Sequence, residues 1–160
     1  MNKLLVVLLS SITLSSGVLS ANVSLARQIV GLEGRCIDVS GTQNADGSPP
    51  NLILSACNGQ ASQQWKLAAD GSIRGLEGKC IDAKGGQAQN EDGSPANLIL
   101  FPCNGEPNQT WNLRSDGSIQ GLEGRCIDAK GGQVQNDDGS PVELILFSCN
   151  GEPNQRWRLR

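Results

Sequence analysis

The 160-residue chain carries 13 Lys and Arg against 16 Asp and Glu, a formal net charge of −3, and no histidine. It has no basic excess with which to meet a phosphate backbone, which argues against nucleic acid as a partner. The absence of histidine removes a common zinc ligand and general base. With 20 Gly, two Phe, three Trp and no Tyr, it is poor in aromatic core formers.

In chain order, Met1-Asn2-Lys3 supplies one positive charge and no other charged side chain comes until Arg27. Between them the apolar "LLVVLL" grades into a Ser-rich stretch. That layout predicts a secretory signal peptide over residues 1–26. Small residues at the minus-3 and minus-1 places allow cleavage after Ser20 or after Ala26. A membrane span needs about 20 mostly apolar residues, so no span is expected once the signal is removed. Cleavage would leave about 134 to 140 residues, enough for one domain with a modest core.

That remainder repeats. Trp65, Trp111 and Trp157 stand 46 residues apart, and 30 of 37 positions are identical between 75–111 and 121–157. The first copy, 31–65, keeps the same order with two residues fewer. The unit is thus about 46 residues, in three copies at roughly 27–70, 71–116 and 117–160. Within a copy, "RCIDA" alternates, "NLILF" is an apolar run of strand length, "TWNLR" alternates again, and "SIQGL" follows the turn signal "SDG". "KGGQAQNEDGSP" is too rich in Gly, Asn, Asp and Pro for a helix. Four strands per copy predict about twelve in an all-β, three-fold closed barrel. The third copy stops after "WRLR", while "RQIVGLEG" at 27–34 stands where "GSIRGLEG" and "GSIQGLEG" stand later. The first strand is therefore expected to complete the last repeat and close the ring, removing exposed edges.

Six cysteines fall two to a copy, without CxxC spacing. If a three-fold chain pairs within one copy it should pair alike in all, giving Cys36–Cys57, Cys80–Cys103 and Cys126–Cys149. This fits an oxidising, secreted setting, extracellular or periplasmic, and no metal site is expected.

The motifs Gln63-Gln64-Trp65, Gln109-Thr110-Trp111 and Gln155-Arg156-Trp157, each preceded by "CID" and a strand leading to a second Cys, resemble the ricin B-type lectin family. The resemblance runs from about residue 28 to 160 and implies a β-trefoil of three subdomains. It also implies that Trp65, Trp111 and Trp157 are core residues. Sugar would be held by the Asp of Cys-x-Asp, a ring two residues before the second Cys, and the amide preceding Gln-x-Trp. Residue by residue, this gives Asp82, Phe101, Asn108 and Gln109 in repeat 2, and Asp128, Phe147, Asn154 and Gln155 in repeat 3. Such a set suits a sugar: a carboxylate and an amide grip neighbouring hydroxyls while a ring lies on the C–H face. Repeat 1 keeps Asp38 but has Ser55 and Ser62 at the ring and amide positions, so its site is expected to be degenerate. Two departures are plain: Ile99 and Ile145 stand where many members carry Gln, and the ring is Phe rather than Trp or Tyr. The sugar is left open between galactose-type and xylan-type glycans.

Each residue has a plainer alternative: the Asp as a turn cap, the Phe as core, the Asn as a turn residue after Pro. The "QNEDGSP" loop reads as a solvated turn, since it lacks the spacing of a calcium loop. "NQT" at 108–110 and "NVS" at 22–24 match the glycosylation pattern. No catalytic constellation or cofactor motif stands out, so the expectation is a non-catalytic lectin. A β-trefoil protein-binding or inhibitor module is the alternative.

Overall fold

The period-2 segments pair as hairpins in one register repeated three times. In the computed structural model, which describes residues 25–160, repeat 1 contributes β1 (Ile29–Val30), β2 (Cys36–Val39), β3 (Leu52–Ser55) and β4 (Lys66–Leu67). Repeat 2 contributes β5 (Ile73–Arg74), β6 (Cys80–Ala83), β7 (Leu98–Phe101) and β8 (Asn112–Leu113). Repeat 3 contributes β9 (Ile119–Gln120), β10 (Cys126–Ala129), β11 (Val142–Phe147) and β12 (Arg158–Leu159). The fold is an all-β trefoil of twelve strands, and the described residues contain no α-helix. Apart from Leu25 and Ala26, the signal-peptide expectation lies outside the described residues.

Antiparallel register sets what each hairpin face does. In β6–β7, Ile81 opposes Leu100 and Ala83 opposes Leu98, and all four are buried in the core. The alternate residues Cys80, Asp82, Ile99 and Phe101 share the other face. The β2–β3 and β10–β11 hairpins follow the same register.

Ring closure is visible in the pairing of β1 with β12, Ile29 opposite Leu159 and Val30 opposite Arg158. It is the third copy of the β4–β5 and β8–β9 pairings that join the other repeats. At the hairpin end, β11 also pairs with β3, and the Leu100 and Leu146 amides donate to the Pro50 and Ala96 carbonyls, tying each hairpin to a neighbour.

The three tryptophans anchor this ring. All are buried, and each indole N–H donates at 3.0 Å to a β2-type carbonyl of its own repeat, Ile37, Ile81 or Ile127. Each indole then lies against a glycine of the following repeat. A Cβ on Gly75 would fall 2.4 Å from Trp65, one on Gly121 2.5 Å from Trp111, and one on Gly31 2.3 Å from Trp157. Glycine is therefore required at all three contacts, the last of which joins the two ends of the barrel.

Two features depart from the strand pattern. The "SIQGL" strand ends at Gln120, because Gly121 must meet Trp111 and the chain then makes a 3-10 turn over Leu122–Gly124. Within that turn and its counterparts, Glu33, Glu77 and Glu123 take left-handed φ values of 50°, 56° and 52°, a conformation that disfavours a β-carbon.

Candidate functional site

The shared outward face of β6 and β7 supplies the floor of a cleft in repeat 2. Asp82, Ile99 and Phe101 line it, with Gly85 and Gly86 of the turn after β6 and Asn104, Glu106, Pro107 and Asn108 from the segment before Trp111. Leu122, from the next repeat, adds one wall, and the space is about 360 Å³.

Asp82 is 3% exposed and Asp128 likewise. Asp82 accepts one strong hydrogen bond, from Gln109 Nε2 to Oδ2 at 2.7 Å. Gln109 is held in turn by the Pro102 carbonyl, at 3.0 Å from its Nε2, and by the Asn104 amide, which donates to its Oε1 at 2.8 Å. With every polar atom of Gln109 occupied inside the protein, its place is behind Asp82, fixing the carboxylate, rather than in the cleft. Gln155 does the same for Asp128, at 2.7 Å, with the Ser148 carbonyl and the Asn150 amide as its other partners. The equivalent Gln63 of repeat 1 makes matching bonds to Asp38, the Ala56 carbonyl and the Asn58 amide.

Asn108 donates from Nδ2 to the Ala83 carbonyl at 3.1 Å, and Asn154 to that of Ala129 at the same distance. The reversed amide would set two oxygens together, so the carbonyl oxygen is the atom left for a ligand. Both asparagines are buried, so the folded protein does not offer Asn108 to glycosylation. Phe101 is partly exposed and Phe147 39% exposed, and neither belongs to the core cluster.

Repeat 1 differs in a way that its hydroxyls explain. Ser55, at the ring position, donates to Asp38 Oδ2 at 2.6 Å, and the Val39 amide donates to Oδ1 at 2.7 Å. Burial on its own raises the Asp38 pKa, but hydrogen bonds from Ser55, Gln63, Ser62 and the Val39 amide outweigh it and hold the carboxyl below its usual range. In repeats 2 and 3, burial again raises the pKa and the amides of Gln109 and Asn108, or of Gln155 and Asn154, do not compensate. Asp82 and Asp128 are therefore pushed up. Asp38 caps a backbone amide, its Oδ1 taking that of Val39 at the end of β2; among the described residues no backbone amide donates to Asp82 or Asp128.

A larger cleft of about 710 Å³ lies between repeats 1 and 3, but its lining contains no aromatic ring. Its Glu143 is already engaged by Asn51 Nδ2 at 2.7 Å and by Lys130 Nζ at 3.7 Å.

Residues 26–157 match the model of the ricin-type beta-trefoil lectin domain. The chain belongs to this family. Ricin-type lectin domains are carbohydrate-binding modules. The ribosome-inactivating protein PMRIPt of Polygonatum multiflorum is 44% identical over 48 residues, 30% of this chain. The matched stretch spans only 8% of that protein's length. Among solved structures, the designed three-fold symmetric protein ThreeFoil shares 25% identity at a TM-score of 0.67, covering 84% of this chain and 96% of its own. A non-toxic homologue of type II ribosome-inactivating proteins from Momordica charantia, in complex with α-methyl-D-galactoside, shares 26% identity at a TM-score of 0.65. That match covers 84% of this chain and 46% of the other.

Sequence reasoning left several cleft residues of this lectin domain unremarked. Ile99 and Ile145, noted only as lost polar contacts, are buried at 4% and 6% exposure, and Ile99 forms an apolar floor beside Phe101. Gly85 and Gly86 bring backbone to the rim through left-handed φ values of 79° and 69°, and the "KGG" motif signalled this. The calcium-like loops are self-satisfied. Asn90 Nδ2 donates to Ser94 Oγ and to the Pro95 carbonyl, while Asp92 accepts from the Ser94 amide.

The structure joins Cys36 to Cys57, Cys80 to Cys103 and Cys126 to Cys149, and no described cysteine is free.

Proposed function

We propose that this chain is a secreted, non-catalytic lectin with shallow sugar sites in repeats 2 and 3 and a closed one in repeat 1. The observation that carries the reading is the contrast among three equivalent aspartates. Asp38 is saturated by Ser55, Gln63 and the Val39 amide. Asp82 keeps acceptor capacity in a cleft lined also by Phe101 and Asn108, and Asp128 has the same single glutamine donor and the same hairpin register as Asp82.

In the proposed complex, Asp82 accepts from one sugar hydroxyl and the Asn108 carbonyl oxygen from its neighbour, while Phe101 lies against the C–H face. Asp128, Asn154 and Phe147 act alike in repeat 3. Gln109 and Gln155 orient the carboxylates. The paired cysteines support an oxidising compartment. The galactoside complex of the bitter gourd homologue makes galactosides the first ligands to try.

Sites this shallow imply dissociation constants in the millimolar to high-micromolar range, about 4 to 6 kcal/mol. Two of them on one rigid body gain from multivalency only on a glycan that presents repeated sugars at a matching span. The test is a glycan array with an affinity-gel shift on wild type and on Asp82→Ala/Asp128→Ala. Binding should vanish in the variant while the folded state persists by circular dichroism, its melting temperature lowered only by the Nε2 donors of Gln109 and Gln155 left without the aspartates, since both amides retain the Pro102 and Ser148 carbonyls. Unchanged binding refutes the site assignment, and no binding by the wild type favours a protein-partner module.

A further inference from the structure

Among the cleft positions that change with the ring and the asparagine, one carries charge and is not used in the grip proposed above. Glu106 lines the repeat 2 cleft, and Glu152 is its equivalent in repeat 3. Repeat 1, whose site is closed, has Gln60 there. The carboxylate is thus present in the two repeats that keep Phe and Asn, and absent from the one that lost them.

Its local setting is fixed. The Glu106 amide donates to Asn104 Oδ1 at 3.0 Å, and the Glu152 amide to Asn150 Oδ1 at 3.0 Å, so each residue begins a tight turn with its side chain exposed. The described ion pairs join Arg74 with Asp70, Lys79 with Glu77, and Lys130 with Glu143; none includes Glu106, Glu152, Asp82 or Asp128. The lining of the repeat 2 cleft holds two carboxylates, Asp82 and Glu106, and no Lys or Arg. In the grip proposed above, the Asp82 carboxylate and the Asn108 carbonyl already meet two neighbouring hydroxyls of a neutral sugar. The second, unpaired carboxylate at the rim adds a counter-charge that a neutral sugar does not use.

We propose that Glu106 and Glu152 select a sugar bearing a free, protonated amine over the same sugar in neutral or N-acetylated form. This rests on the sugar-site reading and deepens it: the ligand class becomes amino sugars and de-acetylated amino-polysaccharides. An anionic glycan meets repulsion from the same groups. The two sites are unequal. In repeat 3 the Arg156 guanidinium is held on the Gly151 carbonyl, next to Glu152, by bonds of 2.9 and 3.1 Å from Nη2 and Nε. Repeat 2 has the uncharged Thr110 at that position. Selection by charge is therefore stronger in repeat 2.

The test titrates the isotopically labelled protein with methyl galactoside, its 2-amino-2-deoxy counterpart and the N-acetylated form, and with the matching gluco series, at pH 6 and low salt. The wild type should bind the amine about two- to fivefold more tightly than the neutral parent, the range of an exposed ion pair. Glu106→Gln/Glu152→Gln should abolish that preference with affinity for the neutral parent nearly unchanged, and Glu106→Gln alone should remove more of it than Glu152→Gln. Equal binding of amine and parent by the wild type, or a preference that survives in the double variant, overturns this inference and leaves the lectin reading intact. Binding of no sugar in either series overturns this inference, and a blank glycan array beside it overturns the lectin reading as well.

Discussion

Asp38 and Asp82 occupy equivalent positions but should respond oppositely to loss of charge. In Asp38→Asn, one amide oxygen must serve acceptor sites that now face the Val39 amide at 2.7 Å and, on the other side, Gln63 Nε2 at 2.8 Å. Whichever way the new side chain turns, its NH2 group opposes an N–H, leaving a buried donor unmatched at about 1 to 3 kcal/mol. For a domain of this size that is roughly a 3 to 9 °C fall in melting temperature. In Asp82→Asn the oxygen takes the Gln109 bond and the NH2 group faces the cleft and Asn108, whose Nδ2 keeps the Ala83 carbonyl, so less is lost than at Asp38 and the burial of charge is relieved. Its melting temperature should hold or rise slightly, as should that of Asp128→Asn. The signs follow from linkage. The depressed pKa of Asp38 gives stability present above the unfolded-state pKa and lost as pH falls through the folded one. The raised pKa values of Asp82 and Asp128 give a penalty present at neutral pH that disappears in acid. Melts by circular dichroism at pH 7 and in acid read both effects, and the Asp38→Asn deficit should shrink in acid. If Asp82→Asn and Asp128→Asn fall as far as Asp38→Asn, the three aspartates share one structural job and the argument for open sites fails.

Three further outcomes are expected from the same geometry. Gly75→Ala places a Cβ 2.4 Å from Trp65, whose indole is pinned to the Ile37 carbonyl; overpacking of this kind costs about 1 to 3 kcal/mol, and an unmoved denaturant midpoint would contradict the contact. Glycan affinity should fall on acidification at a pH above the ordinary aspartate range, because Asp82 and Asp128 lose their acceptor charge when protonated and burial holds their pKa up; titration calorimetry from neutral pH down through the carboxylate range checks it. Reduction should lower the unfolding midpoint markedly, since each disulfide closes a loop of 21 or 23 residues, worth about 3 kcal/mol on the chain-entropy model; urea unfolding with and without reductant measures it.

Much of the fold is legible because its signals are local and stated three times. "CID" against "LIL" reads as a hairpin from alternation alone, and the truncated third copy implies closure by 27–34, which appears as the β1–β12 pairing. The features hidden from sequence cross between repeats or depend on conformation. The glycine that opens "GLEG" looks like an ordinary turn residue until Trp65 is found against it. The left-handed Glu77 carries no compositional mark, since a turn that requires it would ordinarily advertise Asn or Gly. Of the residues lining the repeat 2 cleft, pattern supplied Asp82, Phe101 and Asn108. It did not place Gln109 behind the carboxylate, because the same residue type serves equally as ligand contact or as brace until its partners are known.

The difference between the repeats also separates fold from site on physical grounds. Trp, the Gln of Gln-x-Trp, the paired cysteines and the glycine after the barrel strand are present in all three copies. The Trp–Gly contacts make each copy depend on the next, Trp65 on Gly75, Trp111 on Gly121 and Trp157 on Gly31. A defect in any one strains a joint between two copies, so its cost is shared by both. Most of the cleft residues belong to their own copy: in repeat 2, Asp82, Phe101, Asn108 and Glu106 line one space, with Leu122 as a single outside wall. Such a set can be lost from one copy at little cost if the buried carboxylate left behind finds new donors. Ser55 and the Val39 amide are those donors in repeat 1. The serine that stands in place of the ring thus also satisfies the aspartate, and the barrel keeps this lobe without the ring and the asparagine.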